Sequence, residues 1–198
     1  GLGRGHVGLG LRLVGRRRGG RDLGQHVDGV AGDRVERAQL GQEVLGRVAG
    51  HQQRKEVRSN VEQILQTSSI VFGDLEKVDL IDADKENGAF LSPLLLLNQL
   101  PFDDESVHTI ECFGPVSTIM PYESMTDAIA LAKKGKGSLC CSIVTADDKL
   151  ATGFIIGAAT HHGRMLVLNR DCAKESTGHG SPLPQLVHGG PGRAGGGV

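Results

Sequence analysis

Residues 111–116 read Glu-Cys-Phe-Gly-Pro-Val, and this stretch decides how the rest of the chain is interpreted. In an extended backbone alternate side chains point the same way, so Glu111 and Phe113 share one side of the segment. Gly114 lets the backbone approach a ligand, and Pro115 fixes φ directly after it. The stretch is interpreted either as the rim of a ligand site or as an ordinary strand that ends in a Gly-Pro turn.

The elements predicted around this stretch alternate between helix and strand after residue 50. Val57, Val61 and Ile64 recur at helical spacing, which predicts an amphipathic helix over Gln52–Gln66. The other predicted elements are strands at 70–72, 89–97, 117–120, 139–144 and 165–168, a helix with an apolar stripe from Met125 to Ala132, and a helix with an apolar face from Leu150 to Ala158. This alternation predicts an α/β fold with a largely parallel sheet and flanking helices.

Two of the predicted helices carry boundary signals. Gly135 and Gly137 follow the helix that contains Met125 and are predicted to end it. Thr145 and Asp148 have the spacing of a capping box and are predicted to begin the next helix.

Length and charge limit the classes of function. The 198 residues suffice for one domain with a hydrophobic core. Lys and Arg number 22 and Asp and Glu number 23, so a net charge of -1 gives no general attraction to nucleic acid or to a membrane. The sequence shows no apolar run of about 18 residues and no signal-peptide pattern, so we expect a cytoplasmic location.

The four cysteines are Cys112, Cys140, Cys141 and Cys172, and their spacing contains no Cys-x-x-Cys pair. We expect them to be reduced and mostly buried, with Cys112 as a core thiol that points away from its two neighbours. Cys172 lies between basic residues that would lower a thiol pKa, so a reactive thiol is the alternative there.

The histidines do not predict a metal site. Adjacent His161 and His162 cannot share a face, and together with His179 and His188 they match no zinc spacing. We therefore expect no metal.

Residues 1–50 use only nine residue types, with Gly, Arg, Leu and Val dominant. Three explanations compete: a Gly/Arg arm that binds nucleic acid through phosphate contacts, a disordered tail, or a non-native segment from a GC-rich coding region read in the wrong frame. Residues 3–8 match Gly-x-Gly-x-x-Gly, but no predicted strand precedes them, so they do not predict a dinucleotide site.

The order of motifs in the remainder resembles the aldehyde dehydrogenase superfamily. The residues that carry this resemblance are 88–93 (Gly-Ala-Phe-Leu-Ser-Pro), 111–116, 135–139 (Gly-Lys-Gly-Ser-Leu), 173–184 and 188–197. The amino-acid sequences of these motifs are similar in particular to the aldehyde dehydrogenase domain of bifunctional phenylacetic acid degradation proteins. In those proteins a hydratase-like domain follows the dehydrogenase domain. The resemblance implies the C-terminal catalytic-domain part of an aldehyde dehydrogenase fold.

The same resemblance implies a function. Members of the superfamily oxidise an aldehyde to a carboxylic acid with NAD or NADP, and the subfamily implies a CoA-linked semialdehyde as substrate. By the same resemblance Glu111 holds the nicotinamide ribose and Phe113 packs beside the nicotinamide ring. The resemblance also implies a homo-oligomer.

The chain departs from the family pattern in its first quarter. The family's nucleophilic Cys should lie near the beginning of this chain, and residues 1–50 contain no Cys. We therefore assign no catalytic residue, expect the chain alone to be inactive, and favour the reading-frame explanation for residues 1–50. We therefore expect a non-native or disordered segment over 1–50 and a partial aldehyde dehydrogenase domain over 51–198.

Overall fold

A computed structural model describes residues 10–15, 46–47, 50–80, 83–84, 87–171 and 189–194. The strands are β1 Gly10–Gly15, β2 Gly46–Arg47, β3 Ser69–Phe72, β4 Phe90–Leu91, β5 Leu94–Leu97, β6 Val116–Tyr122, β7 Ser138–Val144 and β8 His162–Leu168. The α-helices are α1 His51–Ile64, α2 Ser106–Thr109, α3 Met125–Lys134 and α4 Asp148–Ala158, and 3₁₀ turns cover Ala159–His161 and Gly192–Ala194.

The described strands form three sheets. The largest has the order β1-β6-β5-β3, in which β6 pairs in parallel with both β1 and β5, and β3 joins β5 antiparallel. Strands β7 and β8 form a parallel pair, and β2 and β4 form a short antiparallel pair. The predicted α/β fold with largely parallel strands and flanking helices is confirmed.

Helix α1 forms in the predicted region and packs on the larger sheet. Val57, Val61 and Ile64 are buried at helical spacing and join a core that contains Leu96 of β5 and Met120 of β6. Leu96 and Met120 are fully buried. Burial of apolar side chains on both elements therefore fixes α1 against the sheet that continues from the Glu111 segment.

A second core joins α3 and α4 above β7 and β8. Ala128 and Ala132 of α3 pack with Phe154 and Ala158 of α4, and Cys141 of β7 lies beside them. Small side chains at three of these positions allow the two helices to approach closely.

A buried polar network fixes the loop between β5 and α2. Asn98 is fully buried, and its Nδ2 donates to Asp104 Oδ2 at 2.7 Å and to Ser68 Oγ at 3.1 Å. Asp104 also accepts hydrogen bonds from Thr67 Oγ1 and the Ser106 backbone. Burial raises the pKa of the Asp104 carboxyl, but these donors outweigh burial and hold it below its usual value.

Three details differ from the sequence predictions. Asp147, and not Thr145, caps α4, because the Asp147 carboxylate accepts from Lys149 and Leu150 N–H groups while Thr145 Oγ1 accepts from Asp147 N–H. The complete capping box lies at α3, between Ser124 and Asp127. Strands β1 and β2 lie within residues 1–50, where no strand was predicted.

Helix α3 ends at Lys134 with Gly135 as its C-cap, so its predicted end is confirmed. Gly135 keeps a right-handed conformation with φ of -67°, whereas Lys136 has φ of 57° and Gly137 has φ of 134°. A lysine directly after the cap thus takes the left-handed conformation that usually selects glycine. Across the described part of the chain, no helix is long and apolar enough to cross a membrane.

Candidate cofactor-binding site

The segment that carries Glu111 and Phe113 connects α2 to β6 through two tight turns. Gly114 N–H donates to the Cys112 carbonyl at 2.7 Å, and Val116 N–H donates to the Gly114 carbonyl at 2.8 Å. Bonds between residues two apart define successive γ-turns, so the segment is not a regular strand.

The alternation expected from an extended segment nevertheless holds. Glu111 is exposed and the Phe113 side chain is 56% exposed, whereas Cys112 between them is only 7% exposed. The prediction of a core thiol at Cys112 is confirmed. The Glu111 carboxylate and the Phe113 ring thus remain accessible, while Cys112 between them in the sequence is buried.

Helix α1 holds the segment by its backbone. Asn60 Nδ2 donates to the Glu111 carbonyl at 3.1 Å, and Gln53 Nε2 donates to the Phe113 carbonyl at 2.5 Å. Residues seven positions apart lie two turns apart on one helix face, so both amides point to the same segment. These tethers occupy main-chain carbonyls and leave the Glu111 and Phe113 side chains available.

Gly114 serves this contact with α1. A Cβ at Gly114 would lie 2.9 Å from Val57 Cγ2 and 3.0 Å from Val57 Cγ1. The close neighbour that Gly114 admits is therefore the helix, and its approach to a ligand stays a prediction.

The two accessible side chains have complementary chemistry. An ionised Glu111 carboxylate offers two acceptor oxygens, which suits a diol such as a ribose. The Phe113 ring offers an apolar face against which a flat heterocycle can stack. This chemistry is compatible with a ligand that carries both a diol and a flat heterocycle, and the role predicted for Glu111 and Phe113 stays a prediction.

A described cleft lies elsewhere. Its volume is about 330 Å³, and it is lined by residues 99–103, 121–123 and Asp127. Because residues 99–103 follow β5 and residues 121–123 lie at the carboxyl end of β6, the cleft lies at the opposite end of β6 from Glu111.

The thiols in the described residues are not set up as nucleophiles. Burial, with a smaller contribution from the Glu111 charge, raises the pKa of Cys112 to about 11. Burial and then neighbouring Cys140 raise the pKa of Cys141 to about 11, and burial also raises the pKa of Cys140. A raised pKa lowers the thiolate fraction on which nucleophilicity depends. Cys172 lies outside the described residues.

The histidines have structural partners where they are described. His162 Nδ1 lies 2.6 Å from Ser138 Oγ, its register partner across β7 and β8. Burial, and then the nearby His161, lower the pKa of His162. No group of three metal-binding side chains occurs within the residues the structure describes, and His179 and His188 fall outside them.

Sequence reasoning missed the residues that hold the segment. Gln53 and Asn60 fall within the predicted amphipathic helix, and only their two-turn spacing could have indicated a shared contact. No role was predicted for Arg193, but its Nη1 donates to the His108 carbonyl at 3.0 Å and its Nη2 to the Thr109 carbonyl at 2.6 Å. These contacts join parts of the chain that are 84 or 85 residues apart. A local sequence pattern does not predict contacts over such a separation.

Known proteins match this chain in both sequence and fold. Residues 26–175 match the model of the aldehyde dehydrogenase family. The chain is 47% identical over 154 residues to protein MaoC of Klebsiella aerogenes, covering 77% of this chain and 44% of that protein. It is 36% identical over 129 residues to 3,4-dehydroadipyl-CoA semialdehyde dehydrogenase of Aromatoleum evansii, covering 65% of this chain and 25% of that protein. The chain thus spans less than half the length of these relatives.

Solved structures show the same fold at lower identity. Betaine aldehyde dehydrogenase of Staphylococcus aureus, in complex with NAD+, matches with a TM-score of 0.59 and 20% identity over 75% of this chain and 27% of that one. The NAD+ complex of an aldehyde dehydrogenase from Bacillus cereus matches with a TM-score of 0.58 and 17% identity over 75% of this chain and 26% of that one. With the family model covering most of the residues, this chain belongs to the aldehyde dehydrogenase family.

Proposed function

We propose that this chain is the C-terminal part of an NAD(P)-dependent aldehyde dehydrogenase domain in which Glu111 and Phe113 form the nicotinamide side of the cofactor site. The observation that carries the proposal is the segment itself: its backbone is fixed to α1 while both side chains stay exposed. We call Glu111 and Phe113 the nicotinamide rim.

The rim would bind the cofactor by two different interactions. The Glu111 carboxylate would accept hydrogen bonds from ribose hydroxyls, and charge-assisted bonds of this kind are stronger than neutral ones. The Phe113 ring would limit where the nicotinamide ring can lie. When bound, NAD or NADP supplies the hydride acceptor that aldehyde oxidation requires.

The proposed substrate is a CoA-linked semialdehyde, and the proposed setting is aromatic catabolism through phenylacetate. The name of the Aromatoleum relative supports a CoA semialdehyde, and the motifs at 88–93, 173–184 and 188–197 support the phenylacetate subfamily and its bifunctional proteins. In the balanced reaction the aldehyde, water and oxidised cofactor give the carboxylic acid, reduced cofactor and a proton.

We assign no catalytic residue in this chain and propose that the 198 residues alone do not oxidise aldehydes. The raised thiol pKa values of Cys112, Cys140 and Cys141 support this proposal. Residues 51–198 are the proposed partial dehydrogenase domain, and residues 1–50 the proposed non-native or disordered segment. Aldehyde-dependent formation of NADH or NADPH by the chain, abolished by Cys172→Ser, would contradict the assignment.

A homo-oligomer also belongs to the proposal, because the family resemblance supports it. The alternative of a nucleic-acid-binding arm rests on residues 1–50, most of which lie outside the described residues, and the family match gives it no support.

The rim is tested by titrating the chain with reduced nicotinamide mononucleotide and following its fluorescence. We expect saturable binding that Glu111→Gln weakens about tenfold, because a bond to a charged acceptor is lost. Phe113→Ala should weaken it about threefold or more. Glu62→Gln and Phe102→Ala are the matched controls, since both residues are exposed and lie outside the segment. If the controls change the affinity as much as the rim variants do, the rim does not bind the cofactor.

A further inference from the structure

A Gly-rich turn lies against the loop that follows α3 and extends one side chain to α2. Residues 189–194 form this turn, and Arg193 N–H donates to the Lys136 carbonyl at 3.0 Å. Gly192 has φ of 53°, and a Cβ there would lie 2.2 Å from the Lys136 carbonyl oxygen. The turn therefore lies tightly against the loop between α3 and β7, and its backbone position is defined.

The Arg193 side chain extends from this turn to the end of α2. Its two terminal nitrogens donate to the His108 and Thr109 carbonyls at 3.0 and 2.6 Å. The last carbonyls of a helix have no intrahelical partner, and a positive charge is favourable beside them. Arg193 thus satisfies two main-chain acceptors that the short helix leaves open.

The carbonyls that Arg193 binds lie immediately before the rim. Thr109 is two residues from Glu111, and the only connection between them is Ile110, whose N–H donates to the Ser106 carbonyl at 2.9 Å. On the other side of α2, His108 Nε2 lies 2.7 Å from the Pro101 carbonyl. The start of the rim segment is therefore fixed by α2, and α2 is fixed by Arg193.

We propose that Arg193 is a positioning residue for the nicotinamide rim: it fixes the chain entering Glu111, while Gln53 and Asn60 fix the chain leaving it. This inference rests on the proposed cofactor role of Glu111 and Phe113. A planar guanidinium suits the task because it donates to two adjacent carbonyls at once, which a lysine ammonium does with less directional definition.

The test measures the affinity of the full 198-residue chain for reduced nicotinamide mononucleotide. Arg193→Gln should weaken binding about fivefold, and Arg193→Lys should weaken it less, because one donor and the charge remain. Arg170→Gln, which changes an exposed arginine after β8, should leave affinity unchanged. Circular dichroism and thermal unfolding of each variant report whether the fold persists.

A double-mutant cycle separates positioning from general stability. If Arg193 acts through Glu111, Arg193→Gln should have little further effect in the Glu111→Gln background. Hydrogen exchange at the Ile110 and Gly114 amides should also become faster in Arg193→Gln, while exchange in α4 stays unchanged.

The outcomes distinguish the two proposals. Wild-type affinity in Arg193→Gln, or an equal loss in both backgrounds, overturns the role of Arg193 and leaves the rim intact. Absence of any binding that depends on Glu111 overturns the rim, and the positioning role with it. A fivefold loss of affinity that Arg193→Gln causes only when Glu111 is present supports both the rim and the positioning role of Arg193.

Discussion

Lys136 and Gly135 occupy each other's preferred conformations at the end of α3. Lys136 is left-handed with φ of 57°, whereas Gly135 is right-handed and a Cβ there would meet nothing within 4 Å. A left-handed residue with a side chain costs about 1–2 kcal/mol relative to the right-handed form, and a right-handed glycine carries an avoidable entropy cost.

Lys136→Gly should therefore raise the free energy of unfolding by about 0.5–1 kcal/mol, since relief of the left-handed side chain exceeds the entropy cost of glycine. Gly135→Ala should raise it by about 0.4–1 kcal/mol. Urea unfolding measures both. Gly137→Ala is the contrasting variant, because Gly137 has φ of 134° and a Cβ would lie 2.1 Å from the Pro191 carbonyl oxygen. Stabilisation by that variant would contradict the reasoning.

Individual thiols give a second prediction at this scale. With pKa values of about 11, Cys112 and Cys141 should react slowly with iodoacetamide at pH 8 in the folded chain. Both should react fast after denaturation in urea, which serves as the internal control. Mass spectrometry of the peptides measures each site, and rapid labelling of Cys112 in the folded chain would show that the rim segment does not hold it buried.

Helix α3 begins with a complete capping box. Ser124 Oγ accepts from Asp127 N–H at 3.1 Å, and the Asp127 carboxylate accepts from Ser124 N–H at 3.0 Å. Ser124→Ala should lower the free energy of unfolding by about 1 kcal/mol, whereas Ser124→Thr should nearly preserve it. Chemical denaturation checks the pair, and an equal loss in both variants would point to packing of the side chain and not to its oxygen.

Helix α1 gives the prediction closest to the site. Asn60→Asp replaces the donor to the Glu111 carbonyl by an acceptor, so the segment should loosen and the free energy of unfolding should fall by about 1–2 kcal/mol. Ser59→Asp adds the same charge at the adjacent exposed position and should cost little. The rate of hydrogen exchange at the Gly114 amide should rise in Asn60→Asp and not in Ser59→Asp.

The sequence predicted most elements but not the contacts between them. Apolar spacing located α1 and the strands because burial of one face is a local property of the pattern. Burial of Cys112 between two exposed neighbours followed from alternation alone.

Gln53, Asn60 and Arg193 escaped prediction because their partners are carbonyls on distant parts of the chain, and every residue offers the same carbonyl. The predicted cap of α4 was Thr145 and the observed cap is Asp147. Both residue types can cap a helix, and only the path of the backbone determines which of the two side chains reaches the first N–H groups.

Two buried histidines among the described residues couple the stability of the whole molecule to pH. Burial lowers the pKa of His108 and of His162 below the ordinary value of 6.5. The unfolded chain therefore takes up these protons first as pH falls. The stabilisation is complete above pH 6.5 and is progressively lost below it.

The midpoint of urea unfolding should accordingly decrease as the pH falls below about 6.5. His108→Gln keeps a donor for the Pro101 carbonyl and removes one titrating group, so its midpoint should depend less on pH in this range. The double variant with His162→Gln should depend on pH still less. A slope that is unchanged in both variants would assign the dependence to other groups.

The tethers on the rim segment all end on main-chain carbonyls, and this separates anchoring from recognition. Because the amides of Gln53 and Asn60 and the guanidinium of Arg193 bind atoms that every residue possesses, replacing the side chain at 111 or 113 removes none of these bonds. The side chains at positions 111 and 113 can therefore be exchanged while the backbone that carries them stays in place. A library randomised at these two positions alone should yield mostly folded chains, so cofactor preference could drift or be redesigned there without a second compensating change.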